Sequence, residues 1–455
     1  MSELLVHREQ LMPCVHCGFC LSVCPTYTRL GDERDSPRGR LHLMRAVTEG
    51  RLSPGSEAFR SHIDRCLGCR ACEPVCPSGV EYGALLELAR AAAAAHHPPP
   101  PASRALLAVF GSQAGRRVFL AGGKLLRGTR LAAVGARILP AVGPLAGAKL
   151  GLAMLAASGP PGRLPGGDAT RGRGSTAADT GSSVSAPAAS AGSASDVPLP
   201  GSRGRVALLR GCVQEGLYAR VNEATLRVLR VNGFDVVEAP GQDCCGALHA
   251  HGGDRTTARH LAATNVSAFG AAAVDYVVVN AAGCGAAMKE YTHLLEDDRE
   301  AREVAGRVRD ALELLAEAGP VRGGEIRGRA AVDHPCHLLH AQGIRSAPLR
   351  VLAAIPGLEV EEIDGAEECC GGAGIYGLTH PDLGGWIGTD KVRAVMASEA
   401  EVLTTPNPGC LMQIGAGLRL AGSSMSVAHP IELLDESYRR AGFYERAWGG
   451  EETGP

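Results

Sequence analysis

Cys14-Val15-His16-Cys17-Gly18-Phe19-Cys20, closed by Cys24-Pro25, and Cys66-Leu67-Gly68-Cys69-Arg70-Ala71-Cys72, closed by Cys76-Pro77, decide the reading of this chain. Each stretch spells C-x2-C-x2-C-x3-C-P, the thiolate spacing that carries a pair of [4Fe–4S] clusters. Three thiolates two residues apart lie on a tight loop that wraps one face of a cube. The fourth is carried by the next helix to the other cube, and the proline stops the chain from folding back. The expected ligand sets are Cys14, Cys17, Cys20 and Cys76 for one cluster, and Cys66, Cys69, Cys72 and Cys24 for the other. Zinc sites favour two cysteine pairs over triplets with a trailing Cys-Pro.

The surroundings of the motifs read as helix. Ser36 and Pro37 are an N-cap and first helical residue for a helix reaching Thr48, with Gly50 just past its end. Further helices are expected over Glu57–Arg65 and Tyr82–Ala95. Residues 1–97 are therefore expected to form an α-helical ferredoxin domain with two clusters. A Pro-rich break, His96–Pro101, leads into a helical connector over 98–157. Its most apolar stretch, Leu131–Ala157, is interrupted by Arg137, Pro140, Pro144 and Lys149, so no uncharged run there can span a bilayer. It reads as core or interfacial helix, with contact at a membrane surface as the alternative. Residues 158–204, rich in Gly, Ser, Ala and Pro, are expected to be a disordered linker.

The remainder contains an internal repeat, 205–325 and 326–455. Cys212, Cys244-Cys245-Gly246 and Cys284 recur as Cys336, Cys369-Cys370-Gly371 and Cys410, at offsets of 124, 125 and 126 residues. Apolar runs Val206–Leu209, Tyr276–Val279, Ala330–Asp333 and Val402–Thr405 lead into cysteines, and helical stretches Ala219–Val231 and Leu349–Ile355 lie between them. Strand-helix alternation predicts an α/β domain with a parallel sheet and cysteines at the C-terminal ends of strands, where such sheets bind ligands. Buried cysteines are common in cores, but a vicinal Cys-Cys-Gly repeated in register points to a metal or redox role. A further iron–sulfur cluster and zinc both remain open for these eight residues.

Composition narrows the function classes. Across 455 residues, 46 Lys and Arg against 48 Asp and Glu give a net charge of −2, with no basic field for nucleic acid. Sixteen cysteines without a secretory signal pattern predict a reducing cytoplasm, where thiols serve metals. No Gly-rich dinucleotide fingerprint sits between a strand and a helix, and no acid/base pair reads as catalytic, so no catalytic residue is assigned.

The two cysteine motifs, together with Cys24-Pro25-Thr26-Tyr27, Gly31-Asp32-Glu33 and Pro37-Arg38-Gly39-Arg40, resemble the iron–sulfur subunits of glycolate oxidases. The likeness continues through Asp64-Arg65-Cys66-Leu67, Cys76-Pro77-Ser78-Gly79-Val80, Gly283-Cys284-Gly285-Ala286, Lys289-Glu290-Tyr291 and Leu378-Thr379-His380-Pro381-Asp382-Leu383. It implies an electron-transfer subunit in a complex that oxidises glycolate to glyoxylate. The substrate site would lie on flavoprotein partner subunits, and electrons would leave to a quinone or other acceptor. The same resemblance allows a peripheral position on the inner face of the cell membrane. Two alternatives stand beside it: an equivalent subunit of another dehydrogenase, such as anaerobic glycerol 3-phosphate dehydrogenase, and a free-standing iron–sulfur carrier or redox sensor. Cys-Cys-Gly domains of the heterodisulfide reductase type end in C-x2-C, whereas Ala287 and Gln413 occupy that place here. A four-cysteine site, completed by His334, His337 or a partner group, is the option this leaves.

Overall fold

In the computed structural model, which describes residues 3–162, 164–166 and 197–447, helices carry the N-terminal motifs. The first long helix, α1 (Pro37–Thr48), opens at Ser36, whose hydroxyl accepts from the Gly39 N–H, and Gly50 follows its end at φ 72°. Ser56 caps α2 (Glu57–Asp64) in the same way, and α3 (Tyr82–His96) follows. Among the described residues no strand precedes Arg205. Leu4, Leu11, Met44, Phe59, Ile63 and Leu85 are buried in one core beneath the cysteine loops. Each contributes roughly 1.5–3 kcal/mol by leaving water.

Four helices form the connector: α4 (Pro101–Gly111), α5 (Gln113–Gly128), α6 (Leu131–Ile138) and α7 (Gly143–Ala157). Almost devoid of charge, α7 is a packing helix, its Ala153 and Met154 buried against Ala416 of the second repeat. Among the described residues no helix is long and apolar enough to cross a membrane. The expected linker falls largely on residues 167–196, which lie outside the described residues. Its described edges are packed. Ser158 is buried and accepts from Arg127, while Leu164 and Val197 lie against the core of the repeats.

Each repeat forms its own four-stranded parallel sheet. The first has β1 (Arg205–Leu208), β2 (Asp235–Val237), β3 (Tyr276–Val279) and β4 (Val308–Asp310), in the order β2-β1-β3-β4. The second has β5 (Gly328–Val332), β6 (Leu358–Glu362), β7 (Val402–Thr404) and β8 (Ser426–Ala428), in the order β6-β5-β7-β8. Eight further helices are α8 (Val213–Val231), α9 (Arg255–Ala271), α10 (Ala282–Lys289), α11 (Ala311–Ala318), α12 (Ala347–Leu352), α13 (Pro381–Ala397), α14 (Pro408–Leu420) and α15 (Pro430–Arg440). The closing helix of each repeat packs on the other repeat: α11 on α12, and α15 on α8. Arg220–Glu432 and Arg227–Asp435 ion pairs fasten the second of these contacts. The exchange makes one continuous core, with Val206, Leu229, Leu315, Val332, Leu352 and Leu434 fully buried in it.

Candidate metal centres

The two ferredoxin-type loops repeat one backbone device. Positive φ occurs at His16 (54°) and Gly18 (91°), and at the matching Gly68 (69°) and Arg70 (63°). This left-handed geometry keeps each loop tight and aims amides inward; the Gly68 N–H lies 3.4 Å from Cys66 Sγ. Arg70, strained at positive φ, is held by Glu73 and by Glu290 of the first repeat. One pocket is lined by Cys14, Cys17, Cys20 and Cys76, together with Cys72. A second is lined by Cys24, Cys66, Cys69 and Cys72.

The second pocket has a built electrostatic floor. Arg40, fully buried, donates to His62 O (2.7 Å), Thr26 Oγ1 (3.1 Å) and Asp35 Oδ1 (3.3 Å). Burial works against its charge, but the negative charge available at Cys66, Tyr82, Cys24 and Asp35 holds the guanidinium above its ordinary pKa. The Tyr82 hydroxyl donates to Cys66 Sγ at 3.6 Å, and Thr26 Oγ1 lies 3.2 Å from Cys24 Sγ. Burial pushes the Cys69 and Cys72 thiols well up, and neighbouring thiolates push further. Thiolates crowded this closely repel one another and are stabilised together by a metal. An all-sulfur donor set above a buried cation therefore fits an anionic iron–sulfur cluster.

In the first repeat Cys212 caps α8, Cys244-Cys245 follow β2, and Cys284 lies in the first turn of α10. Their thiols form a hydrogen-bonded chain, Cys212–Cys244–Cys245–Cys284, with Cys244 Sγ 3.3 Å from Cys212 Sγ. In the second repeat Cys336 opens a helical turn after β5, Cys369-Cys370 follow β6, and Cys410 lies in the first turn of α14. The chain there is Cys336–Cys369–Cys370–Cys410, with 3.3 Å between Cys370 Sγ and Cys410 Sγ. Hydrogen bonds from their neighbours hold Cys244, Cys336 and Cys370 below the usual thiol range, whereas their partners in the chain are pushed above it. The donor sets again suit a soft metal centre.

Glycine in Cys-Cys-Gly has a structural cause. Gly246 (φ 84°) and Gly371 (φ 80°) turn the chain where it meets the next long helix. A Cβ on Gly371 would stand 2.3 Å from Gly384 O, and one on Gly246 3.1 Å from Ala258 O. At the position of the absent fifth cysteine, Gln413 is buried with its Oε1 unpartnered. Of the two histidines considered, His337 lies at the site, with Nδ1 3.4 Å from Cys336 Sγ and a buried, unpartnered Nε2. His334 is turned away onto Glu362.

Cys69 and Leu67 of the N-terminal domain share one apolar cluster with Cys336, Cys369 and Tyr376 of the second repeat. The Tyr376 hydroxyl donates to Arg65 O at 2.8 Å, and Arg90 spans Cys66 O and His251 O. The repeats also meet at their cysteines. Asn407 Nδ2 donates to Cys410 Sγ at 3.3 Å, while its Oδ1 accepts from the Gly283 N–H beside Cys284. Sequence reading gave Asn407, Arg40 and Tyr82 no role at the sites, although Arg40 falls in the Pro37-Arg38-Gly39-Arg40 stretch and Asn407 is the polar residue between a strand and the Pro-Gly-Cys that starts α14.

A two-motif iron–sulfur domain packed against paired cysteine-rich α/β units defines an iron–sulfur electron-transfer subunit. Residues 10–80 match the 4Fe-4S dicluster domain family, and residues 206–289 and 330–415 each match the Cysteine-rich domain family. The chain is 36% identical over 440 residues to the probable glycolate oxidase iron-sulfur subunit of Bacillus subtilis, covering 94% of each. It is 33% identical over 439 residues to the glycolate oxidase iron-sulfur subunit of Escherichia coli, covering 94% of this chain and 95% of that one. Lactate utilization protein A of Geobacillus kaustophilus is 29% identical over 237 residues, 51% of this chain and 98% of that protein. The chain belongs to the family of glycolate oxidase iron–sulfur subunits.

Proposed function

We propose that this chain relays electrons within a flavin-dependent glycolate oxidase complex, from partner flavoprotein subunits that hold the substrate site to a quinone or other acceptor. The observation that best supports this reading is the packing of Cys69 against Cys336 and Cys369, which sets a ferredoxin-type pocket against a cysteine-rich site. When bound, two [4Fe–4S] clusters supply one-electron chemistry, which divides the electron pair that a flavin takes from a 2-hydroxy acid. The roles of this chain's residues follow from that. Cys14, Cys17, Cys20 and Cys76 hold one cluster, Cys24, Cys66, Cys69 and Cys72 the other, and Arg40 offsets buried negative charge beneath the second. The quartets Cys212, Cys244, Cys245, Cys284 and Cys336, Cys369, Cys370, Cys410 hold a further iron–sulfur cluster or zinc.

The match to Lactate utilization protein A supports a second reading, in which the substrate is another 2-hydroxy acid. One experiment separates them. The chain, co-expressed without oxygen with its flavoprotein partners, is offered glycolate, lactate and glycerol 3-phosphate in turn, and acceptor reduction is followed. Glycolate-dependent reduction that requires this chain is expected. Reduction by glycerol 3-phosphate alone, or equal rates without this chain, would overturn the reading.

A further inference from the structure

From residue 98 to 157 the chain carries eight Lys and Arg and no Asp or Glu, although the whole protein has a net charge of −2. Most of these cations face solvent. On α5 and α6 they fall in a register with apolar neighbours: Arg117-Val118, Lys124-Leu125, Arg130-Leu131 and Arg137-Ile138. Seven-residue spacings put Val118 and Leu125 on one side of α5 and Leu131 and Ile138 on one side of α6, and Arg130 stands at the N-cap of α6. Val118, Leu125, Leu131 and Ile138 are 75, 73, 59 and 75% exposed. Their helices are pinned from behind, where Gly123 and Gly135 admit Leu155 and Leu152 of α7. The apolar residues therefore belong to an outward face, not to a gap in the core.

Such side chains exposed in a row are rare on a soluble surface unless something covers them. Charge selects the occupant. Some exposed arginines elsewhere are paired with carboxylates, as Arg299 is with Glu303 and Arg329 with Glu359. Among the described residues, none of Arg117, Lys124, Arg130 and Arg137 makes an ion pair or hydrogen bond with a side chain, and the connector has no acid of its own to offer. An apolar ridge edged by unpartnered cations complements a layer with negative headgroups above hydrocarbon.

We propose that the outward face of α5 and α6 docks this protein on an anionic phospholipid surface. The ridge enters the headgroup–acyl boundary, and the four cations lie at the level of the phosphates. This placement is independent of the electron-relay reading, because it uses no cysteine and no bound cluster.

The test is flotation of the full-length, anaerobically purified protein with phosphatidylcholine vesicles, with and without phosphatidylglycerol. Two variants accompany it: Val118→Ser/Leu125→Ser/Leu131→Ser/Ile138→Ser, and Arg117→Gln/Lys124→Gln/Arg130→Gln/Arg137→Gln. All eight positions are exposed, and unchanged iron content and circular dichroism verify folding. The wild type is expected to float with the anionic vesicles, to stay behind with neutral ones, and to be released by salt. Each variant should lower partitioning at least ~10-fold, since a cation at such a surface contributes about 1 kcal/mol. Absence of flotation, or flotation equal in both variants, would overturn the proposal. So would loss of a co-purifying subunit or of self-association in the variants without any vesicle binding, since the face would then belong to a protein contact.

Discussion

The two cysteine-rich repeats share strand order, cysteine register and an αL glycine, yet their surroundings differ in charge and in neighbours. In the second repeat, Lys391 and Asp333 form a buried ion pair of 2.8 Å, and Lys391 also donates to Gly365 O and Ala366 O. The matching positions of the first repeat hold Asn265 and Leu209, both buried and uncharged. The first quartet is instead supported by neutral groups: Tyr291 donates to Cys245 O and Asn265 to Cys244 O. The second quartet abuts Cys69, whereas the first faces the connector, where Arg116 pairs with Asp243. One fold thus presents two thiol sites in different electrostatic settings. The second packs directly on a ferredoxin-type cysteine, and the larger share of electron transfer is expected to pass through it.

The sharpest break in that comparison is substitution of single thiols. Cys370→Ser is expected to lower glycolate-dependent turnover of the assembled complex at least ~10-fold, with Cys245→Ser impairing it less, and both ferredoxin clusters staying loaded. Steady-state rates with iron and sulfide analysis check this, and equal losses would erase the distinction. Next in size is Lys391→Met, which leaves Asp333 buried without its cation and should cost about 3–5 kcal/mol. Adding Asp333→Asn should recover most of it, as read by denaturant or thermal unfolding.

The glycines give a smaller contrast. Both lie at positive φ, so alanine costs roughly 1–2 kcal/mol at either, but Gly371→Ala also drives a Cβ into Gly384 O. Greater loss of stability and metal content is expected for Gly371→Ala than for Gly246→Ala.

Smallest are two opposed pH slopes. Asp310 caps α11 and His429 caps α15, the two exchanged helices. Burial raises Asp310 to about 7, so the folded state binds the extra proton and stability falls as pH rises from 4 towards 7. Burial lowers His429 to about 3, where its neutral ring donates to Asn280 O and accepts from the Ile431 N–H. The unfolded state then binds the proton first, and stability falls as pH drops from about 6.5 towards 3. Asp310→Asn should remove the first slope and His429→Gln the second, in melting points measured across that range.

Legibility in the sequence followed the distance over which each feature is encoded. The ferredoxin-type loops, the Ser36-Pro37 cap and the Cys-Cys-Gly register are written within a few residues, and they could be read directly. Strands β1, β3, β5 and β7 were legible as apolar runs. β2 and β6 were not, because they lie half-exposed at sheet edges; Leu358-Glu359-Val360-Glu361-Glu362 shows more charge than periodicity. The expected start of α8 at Ala219 was late, since Tyr218 breaks the helix (φ −125°, ψ 29°) and regular periodicity begins only after it. The exchange of closing helices and the packing of Cys69 against Cys336 depend on contacts between segments well separated along the chain, which no local pattern encodes. The packed edges of the expected linker were not legible, because Leu164 and Val197 are single apolar residues in a polar stretch and only the folded core reveals their partners.

The central claim is that reducing equivalents from glycolate enter this chain. Electron paramagnetic resonance of the anaerobic complex, frozen after addition of glycolate, tests it most directly. The account predicts signals of reduced [4Fe–4S] clusters that also form in Cys370→Ser, in which electrons enter but onward delivery to the acceptor is impaired. A flavin reduced by glycolate beside clusters that stay oxidised, yet are reduced by dithionite, would contradict it.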